Sequence, residues 1–393
     1  MKQTAAETIP AARRRVLAVA GLFFKLGAIS FGGPAAHIAL MEQETVRKRG
    51  WLSREHFLDL LAATNLVPGP NATEMAIHIG FLQAGWPGLI AGGVAFIVPA
   101  FLISLAFAVL YVRLGSLPQV AALFYGINPA VMAIILAATY RLGRTALRDK
   151  RTLSIGLVGL GAALAGVNEV VVLLAAGLAG ILLYTQPWKS RWWPTAALVV
   201  WSPLTALPGL SAVAWLDDRL LRLALFFLKV GALLFGSGMV LFAFIQRDVV
   251  SGFGWLTPQQ LLDAIAVGQM TPGPVLSSAT FIGYLVAGLP GAVVSTVAVF
   301  LPSFIIVALI GPWIPRLRQS PVAQAFLRGV NAAVVALILA VSVTLFRSAI
   351  VDVWTVLILL AGLLALLRFK MDTFWLVFGG ATAGLAHYLL TRA

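Results

Sequence analysis

Of the chain's 393 residues, 60% are hydrophobic and 11% are charged, against about 25% charged in a soluble globular domain. No soluble fold could hide that much apolar surface, so the bilayer must be the solvent. The formal charge of +14 sits in short clusters between apolar runs (Arg13 to Arg15, Arg47 to Arg49, Arg141 to Arg151), which is the positive-inside pattern and excludes a nucleic-acid surface.

A basic N-terminal segment leads into an apolar stretch from Val16 with no A-x-A cleavage site, so it is read as an uncleaved first membrane segment. Lys25 lies nine residues past Val16, about 14 Å into a helix and near the middle of a roughly 30 Å hydrocarbon core. Ionisable groups at that depth are rare and usually functional, and this one would supply counter-charge to an anion. Snorkelling of the ammonium toward the interface is the alternative. Phe31-Gly32-Gly33-Pro34 then marks a helix break, although small residues also let helices pack closely.

Asp59 and Asn65 precede the string Leu66-Val67-Pro68-Gly69-Pro70-Asn71. Proline removes a backbone donor and glycine allows positive φ, so a helix must break there. A break at membrane depth leaves N–H groups that need protein, water or ligand, and the helix restarting after it presents a positive end to an anion. An interfacial turn is the alternative reading. Thr73 lies in the first turn after the break and offers a hydroxyl, as a ligand or as a cap. Glu74 in the same turn is a candidate for proton coupling, or for a surface role on the helix dipole. Apolar runs at Gly88–Val112 and Val120–Tyr140 are long enough to span. Arg144 reads as an interface anchor. Thr152–Tyr184 reads as two short helices broken near Asn168-Glu169.

The pattern then repeats. Phe23-Phe24-Lys25-Leu26-Gly27-Ala28 returns 204 residues on as Phe227-Leu228-Lys229-Val230-Gly231-Ala232, Asp59 as Asp263, and Pro68-Gly69-Pro70 as Pro272-Gly273-Pro274. After one deletion the offset is 203, pairing Asn128 with Asn331 and Arg144 with Arg347. So ordered a correspondence is a duplication. The units are 1–186, a linker 187–217 and 218–393. Gly236 repeats Gly32, Gln269 repeats Asn65 and Ser277 repeats Thr73, whereas Ser278 replaces Glu74. The amides could bind an oxyanion or bridge helices. Asp59 and Asp263 could pair with the lysines or with loop bases, or share in proton coupling.

The linker's apolar part, 193–215, could cross once. That crossing would place Arg316, Arg318, Arg368 and Lys370 inside and invert the second half. The fold class expected is therefore all-α: a polytopic membrane protein of two inverted repeats with broken or re-entrant helices at the midplane, where such proteins bind substrate. By length, roughly nine to thirteen crossings are expected. Segments 16–41 and 55–84 either span or dip in and return.

Residues 24–34, Trp51-Leu52, the Asn65-Leu-Val-Pro-Gly-Pro stretch and the Gly80…Gly85-x-x-Gly88 pattern leading to Phe96-x-x-Pro99 together resemble the chromate ion transporter family, in its long two-domain branch. The resemblance covers nearly the whole chain and implies export of chromate from the cytoplasm across the inner membrane, with sulfate as an isosteric competitor. Copy two departs from the motif at Leu234 and Ser237-Gly238, which suggests that its half contributes less. The residues expected to bind the dianion are Lys25, Gly32, Gly33, Asn65, Pro68, Gly69, Pro70, Asn71, Thr73, Lys229, Gly236, Gln269, Pro272, Gly273, Pro274 and Ser277. The proton-coupling candidates are Glu74, Asp59 and Asp263. No Walker A string is present, and no H-E-x-x-H, so neither ATP hydrolysis nor an enzyme is expected. An anion channel and, less readily, a membrane-embedded enzyme are the alternatives. The expected partners are the oxyanion and lipid, with no cofactor, metal or nucleic acid; a homodimer is left open.

Overall fold

The computed structural model describes residues 5–115, 117–185, 217–236, 238–310 and 319–392. The crossing expected at 193–215, the bases Lys189, Arg191, Arg316 and Arg318, and Ser237 lie outside the described residues. Among the described residues fourteen α-helices follow in order, seven per half. The first half has α1 (Ala5–Ile29), α2 (Pro34–Glu42), α3 (Arg54–Thr64), α4 (Asn71–Leu114), α5 (Pro118–Ala146), α6 (Lys150–Leu164) and α7 (Glu169–Tyr184). The second has α8 (Asp218–Leu233), α9 (Val240–Phe244), α10 (Pro258–Met270), α11 (Ser278–Ile310), α12 (Pro321–Ala349), α13 (Val353–Arg368) and α14 (Thr373–Arg392). Both α2 and α9 continue into a π-helical turn, at Gln43–Lys48 and Ile245–Gly252.

The duplication reaches the backbone angles. α4 is broken at Ala84 (φ −142°) and Gly85 (φ 61°, ψ −147°), and α11 at Ala287 (φ −145°) and Gly288 (φ 61°, ψ −152°). Only glycine adopts that second conformation without strain, which is why Gly85 returns as Gly288. After the turn the chain doubles back. A methyl built on Gly92 would fall 2.6 Å from the Ala76 carbonyl, so residues 71–83 lie against 86–114. Gln83 Nε2 also donates to the Trp51 carbonyl at 3.1 Å, beside the start of α3. Segment 55–84 therefore dips in and returns, with Pro68-Gly69-Pro70 at its tip. α2 turns back over α1, and Met41 packs into the cluster of Val19, Leu22, Phe23 and Leu26.

Among the described residues, five helices are long and apolar enough to cross: Asn71–Leu114, Pro118–Ala146, Val275–Leu309, Pro321–Ala349 and Thr373–Thr391. The apolar helices α7 and α13 are shorter, at 16 residues each.

The halves are interlocked. α5 packs on α13 and α14, and α12 packs on α6 and α7, so each half's long fifth helix is held by the other half's last two. Glycines make these contacts close. A methyl on Gly126 would fall 2.0 Å from the Gly380 carbonyl, and one on Gly329 1.9 Å from that of Ala176. In lipid such packing, rather than a hydrophobic drive, associates helices. The equivalent helices α4 and α11 also touch, Gly93 against Phe304 and Leu89 in one cluster with Val307. Residue numbers rise on one helix as they fall on the other, so the pair is antiparallel. A twofold relating antiparallel membrane-crossing helices runs perpendicular to them, which is the inverted arrangement.

Candidate functional site

The four chain breaks meet at one cavity of about 430 Å³. Gly32, Gly33 and Pro34 line it from the first half's FGGP break, and Gly236, Gly238 and Met239 from the equivalent break. Gly69, Pro70 and Asn71 enter from one PGP tip, and Pro274, Val275 and Leu276 from the other. The breaks are tied across the pseudo-twofold by reciprocal hydrogen bonds. Gly69 N–H donates to the Leu234 carbonyl at 2.8 Å, and its counterpart Gly273 N–H donates to the Ser30 carbonyl at 2.9 Å.

The cavity wall consists largely of helix beginnings. α2, α4, α9 and the 3₁₀ turn Val275–Ser277 that leads into α11 all start here, and none has a side-chain N-cap. Elsewhere Ser53, Asp149, Asn168, Asp217, Thr257, Ser320 and Asp352 each cap a helix start with a side-chain oxygen. Of the other helices, α5 lacks such a cap as well and has proline in its first turn. The first N–H groups of a helix have no intrahelical acceptor. Around this cavity the N–H groups of Ala36, Leu241, Phe242 and Ser277 bond back to carbonyls of their own turns, and the positive helix ends that converge there favour an anion as ligand.

Not all the residues expected at the site face it. Gly32, Gly33, Gly69, Pro70, Asn71, Gly236, Gln269 and Pro274 line the cavity. Pro68, Pro272 and Gly273 shape the tips. Asn65 is exposed and accepts a hydrogen bond from Asn71 Nδ2 at 2.5 Å, so it orients Asn71 from outside. Thr73 and Ser277 are buried beside the tips, each with a hydroxyl that has no partner.

The lysines do not line the cavity. Lys25 Nζ reaches Glu44 Oε1 at 3.2 Å, and Lys229 pairs with Asp248. Glu44 and Asp248 are equivalent positions, so each lysine braces the return of its own broken segment. Asp263 has a different partner from the lysines. Asp59 is exposed, while Asp263 is buried, accepting from Tyr111 Oη at 2.7 Å beside a separate cavity of about 330 Å³. The surface role allowed for Glu74 fails too, because its side chain is wholly buried and neither oxygen has a partner.

Sequence reasoning missed Arg141 and His37. Arg141 lines the cavity together with Ile134, Ala138 and Leu142 of α5 and Thr373 of α14. The α12 counterparts Leu337, Val341, Thr344 and Leu345 are not in the lining. The lining of this cavity between the halves is thus asymmetric, with an arginine from the first half and no charged residue from the second. In the sequence Arg141 was one base of a cytoplasmic cluster, with nothing to separate it from its neighbours. His37 Nε2 lies 3.1 Å from the Ser30 carbonyl, and its Nδ1 has no partner.

A duplicated helical membrane fold that gathers its interruptions around one central cavity has the build of a solute transporter. The description "Chromate transporter" belongs to the family model that matches residues 17–181 and 221–385, one match per half, and the chain is a member of that family. It is 36% identical over 373 residues to the chromate transport protein of Cupriavidus metallidurans, covering 94% of this chain and 92% of the relative. It is 37% identical to the probable chromate transport protein of Synechococcus elongatus, covering 88% and 87%. Identity to the chromate transport protein of Pseudomonas aeruginosa is 34%, over 82% and 79% of the two chains. No solved structure matches.

Proposed function

We propose that this protein exports chromate, or a related tetrahedral dianion such as sulfate, across the cytoplasmic membrane by alternating access. The single observation that carries the reading is the cavity between the two halves, walled by helix starts without side-chain caps from both of them. The names of the relatives supply chromate; the geometry argues only for an anion. Positive helix ends suit any tetrahedral oxyanion, so sulfate competes. The basic cluster from Arg141 to Arg151 belongs on the cytoplasmic side, so the cavity's mouth at Arg141 faces the cytoplasm. Loss of a dianion from a negative interior is electrically downhill by roughly 2.3 kcal/mol per charge per 100 mV. In the opposite state Thr344 and the α12 face would line the mouth.

Flux of labelled chromate into proteoliposomes tests this. Saturable uptake with sulfate competition is expected. R141Q removes a charge-assisted contact worth roughly 1.5–3 kcal/mol, which weakens apparent affinity about 10- to 150-fold. The chain has no cysteine, so A138C and V341C can be labelled singly. A138C should react from the cytoplasmic face, and V341C only when the transporter turns outward. Unsaturable flux, or equal labelling of both positions from both faces at once, would leave a channel as the better account.

A further inference from the structure

Behind the first PGP tip lies a set of buried polar atoms that the transport site does not use. A methyl built on Gly69 would fall 2.0 Å from Glu74 Oε1 and 2.8 Å from Ser303 Oγ, so carboxyl and hydroxyl are neighbours directly behind the turn. Glu74 and Ser303 are both wholly buried, and both Glu74 oxygens and the Ser303 hydroxyl have no hydrogen-bond partner among the described residues. One turn further along the same helix, His78 Nε2 is buried and unpartnered as well. Natural proteins seldom leave such groups unpaired without a use for them.

The set breaks the pseudo-symmetry. Glu74 and Ser303 have Ser278 and Ala100 as their counterparts, and His78 aligns with apolar Phe281. At the second tip a methyl on Gly273 would meet the Ala100 methyl at 3.1 Å and the carbonyls of Gly27 and Phe96, with no side-chain polar atom among these nearest neighbours. Ser278 spends its hydroxyl on the Val275 carbonyl. One tip is therefore backed by a titratable group and the other is not.

No base is paired with Glu74 among the described residues. α1 brings Lys25, already held by Glu44, and α3 brings Arg54, Glu55, His56 and Asp59, all exposed. α10 brings Asp263, bonded to Tyr111 of α4 itself, and α11 carries no charged residue. α2 brings His37, which together with Arg141 borders the cavity that Gly69 also lines. α2 also ends in Glu42, half-buried and paired with Arg47 and Arg54.

We propose that Glu74 is the coupling acid of the transporter: a dianion enters the cavity only when the carboxyl behind Gly69 carries a proton, so one proton travels with each anion. This rests on the oxyanion reading above. The physical reason is the short path through Gly69. An ionised carboxylate there would repel the ligand in a medium with little screening, whereas the neutral acid would not. Binding of the anion then draws one proton from solution, and binding of the proton tightens the anion by the same factor. Net transfer is one negative charge per cycle rather than two. Counting Glu74 alone, the stoichiometry is one proton; the carboxylate of Asp372, against Gly32, is another acid beside the cavity.

The test uses the purified full chain in nanodiscs with sulfate, which stays a dianion across the range studied. Calorimetry gives binding, and a pH dye in weak buffer counts protons. The expected result is uptake approaching one proton per sulfate, and an affinity that falls up to tenfold per pH unit as Glu74 ionises. E74Q, which copies the neutral acid, should bind with no proton uptake and a flat pH profile. Wild-type binding without proton uptake overturns the proposal even if E74Q does not fold. Equal uptake by E74Q and wild type also overturns it and moves the proton to a histidine. If the wild type binds neither sulfate nor chromate at any pH, the oxyanion reading itself fails, and this proposal with it.

Discussion

Replacing each buried-segment lysine by methionine separates a brace from an anion ligand. The two lysines are equivalent by sequence, but their surroundings differ. Lys25 is 54% exposed, and its partner Glu44 also holds Lys48 at 3.0 Å and Arg49 at 3.7 Å. K25M therefore leaves Glu44 paired and should cost roughly 0.5 kcal/mol, as for an exposed ion pair. Lys229 is 31% exposed and lies over the rings of Phe226 and Phe244 at 5.5 and 5.9 Å. Among the described residues it is the one ion-pair partner of Asp248, which is 20% exposed. Stranding that carboxylate would cost roughly 3–5 kcal/mol if it were fully buried. With partial exposure, about 2–3 kcal/mol is expected. K229M should therefore melt several degrees below K25M in detergent, and K229M/D248N should recover much of the loss. In both single variants the chromate Kd, corrected for folded fraction, should stay within about twofold of wild type. A lysine that bound the anion directly would instead cost roughly 1.5–3 kcal/mol, or about 10- to 150-fold in Kd. If K25M melts like wild type yet loses tenfold or more in affinity, the bracing assignment is wrong.

Two further outcomes follow from the packing. G126V and G329V should each destabilise the protein by roughly 2 kcal/mol or more, because overpacking must push the Gly380 or Ala176 backbone away; thermal melting of the two variants should agree, since the contacts are symmetry copies. At the α5–α6 turn, the hydroxyl of Tyr184 and the capping-box N–H of Thr152 hold the Asp149 carboxyl below the ordinary carboxylate range. A lowered folded-state value means that this stabilisation is present above the unfolded value and is lost as pH falls through the folded one. The melting temperature of wild type should therefore exceed that of Y184F at neutral pH, and the two should converge in acid.

Much of the fold was legible because the bilayer imposes a simple code. Long apolar runs, basic clusters and a 204-residue offset were enough to give a helical membrane protein made of two copies. The PGP and FGGP breaks could be located because proline and glycine act on the backbone locally. Their meeting at one cavity matched the expectation for a duplicated fold. Side-chain destinations were not legible. Lys25 and Lys229 looked like ligands because depth was counted along one helix, but the chain turns back and delivers Glu44 and Asp248 to them. Whether segment 55–84 crossed or returned depended on the turn at Gly85, whose sequence signal is one glycine in an otherwise helical run.

The sequence alone thus determined the solvent, the duplication and the positions where helices must stop, since each follows from composition or from a residue's own backbone preference. Tertiary structure alone decided which groups face one another. Arg141 reaches the cavity mouth while Thr344 does not, and Glu74 sits unpaired behind Gly69 while Ser278 closes on its own turn. The physical reason is that a contact between residues far apart in the chain depends on how two copies interlock across a twofold, and no local pattern carries that information.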